Sequence, residues 1–320
     1  MTGPAPVVSV LMTAYNRERY IAASIESVLA QRFADFELVI TDNQSTDGTL
    51  AIARAYEARD PRVRVVVNER NLGQFGNRNR AATLARGRYL KYHDSDDLMY
   101  PHCLEQMVSH LEAEPRAGFA LSTAWAWPGG PMPMLLSPRQ CYEREYLGFG
   151  LFMCGPACGL FRADVFRALG GFDEDGVHAD HLFWLRACAR HSVLLLPADL
   201  FWYRTHAGQE FLSPRAAREY ARLPGRVWDA LASAECPLDG DDLEQARRNH
   251  AWGVAKHTWR DVRAGRLGLA VYRLRQSQMS LVDLARYVRR PRRHEMAGVP
   301  LDANGDPPSP AWVRLPPREP

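Results

Sequence analysis

Gly87-Arg88-Tyr89-Leu90-Lys91-Tyr92-His93-Asp94-Ser95-Asp96-Asp97 is a β-type stretch that runs straight into three carboxylates within four residues. Like charges at a strand end repel one another. A fold keeps such a cluster on one short loop mainly when a positive group neutralises it. The natural candidate is a hard divalent cation, which prefers oxygen ligands. A metal held there would leave positions open for phosphate oxygens, which points to chemistry on a nucleotide diphosphate. Pro101 then leads a helical pattern to Glu114.

Upstream of this run the chain alternates strand and helix patterns. Val7-Val8-Ser9-Val10-Leu11-Met12 is a largely apolar run, as expected of a strand covered on both faces. Arg19–Ala30 has helical periodicity, Phe36–Ile40 is a second strand, and Ser45 or Thr46 is expected to cap a second helix. Asn16 is likewise expected to cap the helix that follows it. Val63–Val67, Gln74–Ala85 and Arg88–Tyr92 complete a βαβαβαβ order. That order predicts an α/β fold with a mainly parallel central sheet and helices on both faces. Ligands of such sheets bind beyond the carboxyl ends of the strands. The polar segments Thr13–Asn16, Thr41–Asn43, Asn68–Asn71 and the acidic loop all fall there.

Downstream, strands are expected near 118–123, 157–161, 193–196 and 200–203, with helices over 164–169 and 180–190. Trp125–Pro138, rich in Pro, Gly, Met and Trp, reads as a functional or mobile loop. Helical patterns dominate beyond Ser213. The expected organisation is a nucleotide-binding catalytic domain over 1–212, a helical extension over 213–288, and a disordered Pro- and Arg-rich tail over 289–320.

Composition narrows the class. The 320 residues, 46% hydrophobic, allow a sizeable core, and a net charge of +3 gives no case for a nucleic-acid partner. The six cysteines form no CxxC pair, so buried thiols in a reducing cytoplasm are expected, not a zinc site or a disulfide framework. Met1–Pro6 has neither the basic region nor the apolar core of a secretory leader. No stretch approaches the roughly 20 apolar residues of a membrane span. A cytoplasmic protein is expected. Arg286–Arg293, a basic segment beside Leu284, Tyr287 and Val288, is a candidate for peripheral contact with the membrane's inner face, set against a solvated tail. The helical C-terminus is also a candidate surface for homodimerisation.

Five motifs now stand in order: Val10–Asn16, Val39–Thr49, Asn71-Leu72-Gly73, Asp94–Asp97 and Gly170-Gly171-Phe172-Asp173-Glu174. Together, over roughly residues 7–210, the chain resembles the family-two glycosyltransferases of GT-A fold. The resemblance implies an inverting transferase in cell-surface glycan or glycoconjugate biosynthesis. It would use a nucleotide-diphosphate sugar with Mn²⁺ or Mg²⁺, and the acceptor could be a lipid-linked glycan, a peptide or a small molecule. Two other readings compete. A nucleotidyltransferase would carry a Gly-rich loop after its first strand, and Thr13–Glu18 has no glycine. A non-catalytic nucleotide-sugar-binding protein stays open because the family's usual Glu-Asp pair is Ala179-Asp180 here.

Residue by residue, Asp42 would accept the imide N–H of a uracil or thymine ring, while guanine also offers N–H donors and leaves the base open. Thr13, Ala14 and Tyr15 would line the nucleotide pocket. Asn71, Arg78 or Asn79 would reach the ribose or diphosphate, arginine suiting phosphate through its two parallel donors. The resemblance implies that Asp94, Ser95 and Asp96 contact the nucleotide and that Asp96 or Asp97 ligates the metal. Asp180 is the candidate general base. In Tyr203-Arg204-Thr205-His206, Arg204 would support the leaving group and His206 would add a metal contact.

Overall fold

The computed structural model describes residues 4–282 apart from 123–131, 149, 175, 199, 207–208, 210–212 and 281. The expected alternation is present. Strands β1 (Val8–Ala14), β2 (Phe36–Asp42), β3 (Val63–Val67) and β4 (Tyr89–Asp94) alternate with helices α1 (Ile21–Leu29), α2 (Thr49–Glu57) and α3 (Gly73–Leu84). After β5 (Leu98–Met99) come α4 (Cys103–Ala113), β6 (Ala117–Ser122), β7 (Met134–Leu136) and α5 (Pro138–Tyr146). Then follow β8 (Gly159–Arg162), α6 (Ala163–Ala168), α7 (Ala179–Arg190), β9 (Ser192–Leu196) and β10 (Phe201–Trp202).

Eight strands form one sheet in the order β3-β2-β1-β4-β8-β6-β9-β7, and β5 pairs with β10 in a small ribbon. Pairings β1–β2, β1–β4, β2–β3 and β6–β9 are parallel, whereas β8 runs antiparallel to β4 and β6, and β7 to β9. Register sets the site: Thr13 lies opposite both Thr41 and Asp94, and Ala14 opposite Asp42. The carboxyl ends of β1, β2 and β4 therefore finish level with one another.

Both sheet faces are buried, which is why β1 and β2 are apolar along most of their length. One face packs against α1 and α4 through Ile21, Ile25, Val28, Leu104, Met107 and Leu111. The other holds an aromatic cluster, with Tyr92, Phe119, Phe161, Phe166, Phe172, Phe183 and Trp184 all buried. The Trp184 ring stacks on Phe161 with centroids 5.7 Å apart, and its indole N–H donates to the Cys154 carbonyl at 2.8 Å. A ring this size, buried and with its donor satisfied, anchors α7 against the sheet.

The C-terminal part is helical, as expected: α8 (Pro214–Tyr220), α9 (Leu223–Ala232), α10 (Gly240–Arg263) and α11 (Leu267–Gln276). Val227, Leu231, Leu238 and Ala246 join the aromatic cluster. Arg139 of α5 pairs with Asp239 at 3.0 Å and with Asp242, and Asn249 donates to the Tyr146 carbonyl at 2.6 Å. All six cysteines are free, five of them buried. Among the described residues no helix is long and apolar enough to cross a membrane. Arg286–Arg293 and the 289–320 tail lie outside the described residues.

Three local expectations need correction. Ser45 and Thr46 do not cap α2: its N-cap is Gly48, with no side-chain cap. Asn16 does not cap α1 either; that helix begins after Tyr20, and Asn16 sits at φ 52°. These groups bond across the gap instead. The Ser45 hydroxyl accepts from the Asn16 N–H at 3.0 Å, and the Asn16 side-chain oxygen accepts from the Thr46 N–H at 2.8 Å. Part of the Trp125–Pro138 loop lies outside the described residues, but its end is β7, followed directly by α5. That helix opens with a full capping box from Ser137 and Gln140, with Pro138 in its first turn.

Candidate active site

The site lies along the carboxyl ends of β2, β1 and β4. Asp42 ends β2 and is 1% exposed. One of its oxygens accepts from the Ser45 N–H at 3.0 Å, while Oδ2 has no hydrogen-bond partner among the described residues. A buried acceptor without a partner costs about 1–3 kcal/mol, so a fold that keeps one has a position ready for a donor from outside. Ala14 is buried beside it, and Tyr15, 46% exposed, stands at the surface end of β1.

The acidic loop begins as β4 ends. The Asp97 N–H donates to the Asp94 carbonyl at 3.1 Å, closing a tight turn. The Ser95 hydroxyl donates to the Thr13 carbonyl at 2.9 Å, and Ser24 donates to the Asp94 carbonyl at 3.0 Å. Ser95 is thus buried and bonded to backbone, so its side chain fixes the loop to β1. The three carboxylates have three different environments. Asp94 pairs with Arg78 at 2.5 Å. Asp96 Oδ2 accepts from Arg17 Nε at 2.9 Å and lies 2.9 Å from His206 Nε2. Asp97 is buried; one oxygen accepts from the Arg204 N–H at 2.9 Å and Oδ2 has no partner among the described residues. Burial, with Asp94 and Asp96 close by, pushes the Asp97 carboxyl up to about 9.

The segment after β10 closes over this loop. Arg204 Nε donates to the Asp96 carbonyl at 2.8 Å, and its guanidinium lies over the rings of Tyr20 and Trp202, 5.1 and 4.7 Å from their centroids. The His206 ring packs on Tyr20 at 4.7 Å. Gln209 holds the segment in shape by donating to the Arg204 carbonyl at 2.9 Å and accepting from the His206 N–H at 3.1 Å.

Asp180 is the second residue of α7, whose N-cap is His178, and it accepts from the His181 N–H at 2.8 Å. A carboxylate in the first turn is favoured by the helix dipole. Burial nevertheless pushes it up to about 6, with Asp94 adding to the rise and the His181 N–H and Arg78 opposing it. Asp180 therefore feels the Arg78–Asp94 pair, which ties it to the acidic loop. Tyr220 of α8 is also close: burial, Asp180 and Glu219 push its phenol up to about 12. Glu219 accepts from the Val177 N–H at 2.8 Å, fixing the loop that leads into α7. Ala179, where an acid was expected, is wholly buried, so the core around α7 is built for a methyl group.

Two expected contacts differ. Asn71 accepts from Asn43 and from the Gly73 N–H, both at 2.9 Å, and belongs to a network in which Asn43, Asn68 and Asn77 link the ends of β2 and β3 to α3. Asn79 is bonded to the segment before α7: it donates to the Phe172 carbonyl at 2.8 Å and accepts from the Phe172 N–H at 2.9 Å. That clamp explains Gly171. At φ 73°, a Cβ there would lie 2.7 Å from the Asn79 side-chain oxygen.

The family model described as Glycosyl transferase family 2 matches residues 9–170, half of the chain. The chain belongs to glycosyl transferase family 2. Among relatives of this family 2 member is the putative glycosyltransferase EpsE of Bacillus subtilis, 43% identical over 108 residues, or 33% of this chain and 39% of EpsE. Another is the Escherichia coli UDP-Glc:alpha-D-GlcNAc-diphosphoundecaprenol beta-1,3-glucosyltransferase WfgD, 40% identical over 105 residues, or 33% of this chain and 41% of WfgD. The chain thus spans well under half the length of these relatives. Two solved structures share the fold. Staphylococcus aureus TarS in complex with UDP has a TM-score of 0.58 at 21% identity over 78% of this chain and 71% of that one. The mannosyltransferase PcManGT of Pyrobaculum calidifontis, in complex with GDP-Man and Mn²⁺, has a TM-score of 0.59 at 19% identity over 88% of this chain and 78% of that one.

In this family 2 protein the structure gathers Thr13, Asp42, Arg78, Asp94, Ser95, Asp96, Asp97, Arg204 and His206 around the strand ends, and Asp180 at the start of α7 is near enough for Arg78 and Asp94 to bear on its carboxyl. Sequence reasoning missed Arg17, Tyr20, Gln209 and Tyr220. Arg17 lies 79 residues from its partner Asp96, and no local pattern marks such a pair.

Proposed function

We propose that this family 2 enzyme transfers a sugar, with inversion, from a UDP- or dTDP-sugar to an acceptor hydroxyl. EpsE's name supports sugar transfer, and WfgD's supports a UDP-sugar donor with a lipid-linked acceptor. The observation that carries the reading is geometric: at the level ends of β1, β2 and β4, Asp42 and the Asp97 loop each present a buried carboxylate oxygen with no partner among the described residues. Together they offer an acceptor for a base N–H and an oxygen for a cation on the diphosphate side.

In this reading Asp42 Oδ2 accepts a base N–H, and Tyr15 flanks the ring. Asp94 with Arg78 and the Arg204 segment hold the ribose and diphosphate side. The acceptor oxygen attacks the anomeric carbon as its proton passes to Asp180. The bond from that carbon to the diphosphate oxygen breaks, and the nucleoside diphosphate leaves. Direct displacement on the face opposite the leaving group inverts the anomeric centre.

The donor set fits a hard cation. Asp97 brings a buried oxygen with no partner among the described residues, beside Asp96 and the His206 imidazole. Among the described residues, no three His, Cys, Asp or Glu side chains already converge on one point, so ligands from the diphosphate would complete the shell. A bound Mn²⁺ or Mg²⁺ would neutralise charge developing on the leaving diphosphate. The division at residue 212, with the helical part serving the acceptor side through Tyr220, belongs to the same proposal.

Sugar-nucleotide hydrolysis by wild type and Asp180→Asn tests the assignment. The variant should lose about a hundredfold or more in turnover while still binding UDP. Equal, negligible turnover in both, with UDP binding intact, would instead mark a binding protein.

A further inference from the structure

The helices α10 and α11 form an antiparallel hairpin whose inner and outer surfaces differ. Ala251, Val254, Thr258 and Asp261 of α10, spaced at three and four residues, are buried, as are Ala270 and Arg273 of α11. The outer surface carries large apolar side chains. Trp259 is 63% exposed, Leu267 61% and Val271 50%. Trp259 lies one turn before the end of α10 and Leu267 opens α11, so both sit at the hairpin's connected end. Val271 follows Leu267 by one helical turn on the same stripe.

Charge on the hairpin is one-sided. Residues 245–282 contain eight Lys or Arg and a single acid, Asp261. That acid is buried and already bonded, to Arg266 at 2.8 Å and to Arg273 at 2.9 Å. Arg260 and Arg263 flank Trp259 and are exposed. The acids of α10, Asp241, Asp242 and Glu244, lie at its opposite end, where Asp242 pairs with Arg139 of α5. The docked end of the helix is therefore acidic, and the outlying end is basic and apolar.

We propose that this hairpin tip, built from Trp259, Leu267, Val271, Arg260, Arg263 and Arg266, rests on an anionic lipid surface. An indole and two aliphatic side chains would enter the interface while the guanidinium groups meet lipid phosphates, as long basic side chains do at such boundaries. Charge complementarity selects this occupant. A second copy of the chain would bring like charge against like. The 283–320 segment, with Arg286, Arg289, Arg290, Arg292 and Arg293, would do the same and in sequence extends the basic field. The surface is separate from the Arg286–Arg293 segment and does not depend on which sugar is transferred.

Flotation with phosphatidylcholine vesicles, with and without about one third phosphatidylglycerol, tests the proposal on the full chain. Wild type should float with the anionic vesicles and be released at about 0.5 M salt. Trp259→Glu/Leu267→Glu should bind about tenfold less or worse, with its melting temperature and sugar-nucleotide hydrolysis unchanged. Arg260→Gln/Arg263→Gln, which leaves the apolar residues in place, should show the same loss with a weaker salt dependence. The proposal is overturned if wild type ignores anionic vesicles or if the Glu variant floats as well as wild type. It is also overturned if light scattering finds a dimer that the Glu variant splits while vesicle binding is absent.

Discussion

The two ends of the same sheet treat buried carboxylates in opposite ways. At the amino end, Glu37 of β2 is 3% exposed. It accepts from the Ser9 hydroxyl at 2.6 Å, from the Arg86 N–H at 2.8 Å and from Arg86 Nε at 2.9 Å. Burial raises the Glu37 carboxyl, but these bonds and the Arg86 charge outweigh it and hold the group below its usual range. At the carboxyl end, five residues further along the same strand, Asp42 keeps an oxygen with no partner among the described residues, and so does Asp97 on the neighbouring loop. Burial acts on Glu37 and Asp97 alike; the supply of donors differs, and the neighbouring Asp94 and Asp96 charges add to the rise at Asp97. At the amino end the carboxylate is bonded at both oxygens. At the proposed donor end, acceptors are left without partners among the described residues.

Substitutions can break this contrast. The largest effect, a loss of about a hundredfold or more in turnover, is expected from Asp180→Asn. Glu37→Ala should cost about 2 kcal/mol of stability in chemical denaturation, because it strands the Ser9 hydroxyl proton and leaves the Arg86 N–H only its longer bond to Ser9 Oγ; the folded fraction should keep its activity. Asp97→Asn should do the reverse. Its remaining oxygen can still accept from the Arg204 N–H, so the melting temperature should hold or rise while activity is lost. Equal destabilisation by the two changes would erase the distinction between the ends. Asp42→Asn should weaken UDP binding about tenfold, the equivalent of one hydrogen bond to a buried carboxylate.

The smallest test is the pH profile. As the proposed base, Asp180 would have to be ionised to accept a proton, and burial raises its carboxyl to about 6. Activity should therefore rise through pH 6 and level off above it. The linkage has the opposite sign for stability. A carboxyl raised in the folded state binds its proton more tightly than in the unfolded chain. Asp180 thus favours folding less as pH rises from its ordinary value through about 6. Glu37, held low, contributes stability that is lost as pH falls through its folded value.

Much of this was legible before the structure. The order of β1 to β4, the acidic loop and the place of Asp42 follow from apolar runs, and strand ends in a parallel sheet converge by topology; Asp180 follows no such run and was marked only by the family resemblance. What stayed hidden depends on who is near whom. The hydroxyls of Ser45 and Thr46 looked like helix caps because capping is local, but Asn16, some 30 residues away, took their place as partners. Arg17, Tyr20 and Gln209 act through side-chain contacts with the acidic loop and the 203–206 segment, which no spacing predicts. Helix α5 did carry a local sign, Ser137-Pro138 with Gln140, masked by the Pro- and Gly-rich composition just before it. The basic outer end of the C-terminal hairpin was lost because Trp259 and Val262 share the helical period. Only burial tells that the first faces outward.

Calorimetric titration of UDP, dTDP and GDP into the wild-type protein, with Mn²⁺ and then with EDTA, tests the donor-site account most directly. UDP or dTDP should bind with Mn²⁺, bind far more weakly in EDTA, and lose the Mn²⁺ enhancement in Asp97→Asn. No binding of any of the three at about millimolar concentration would contradict the assignment of the carboxyl end as a nucleotide-diphosphate site.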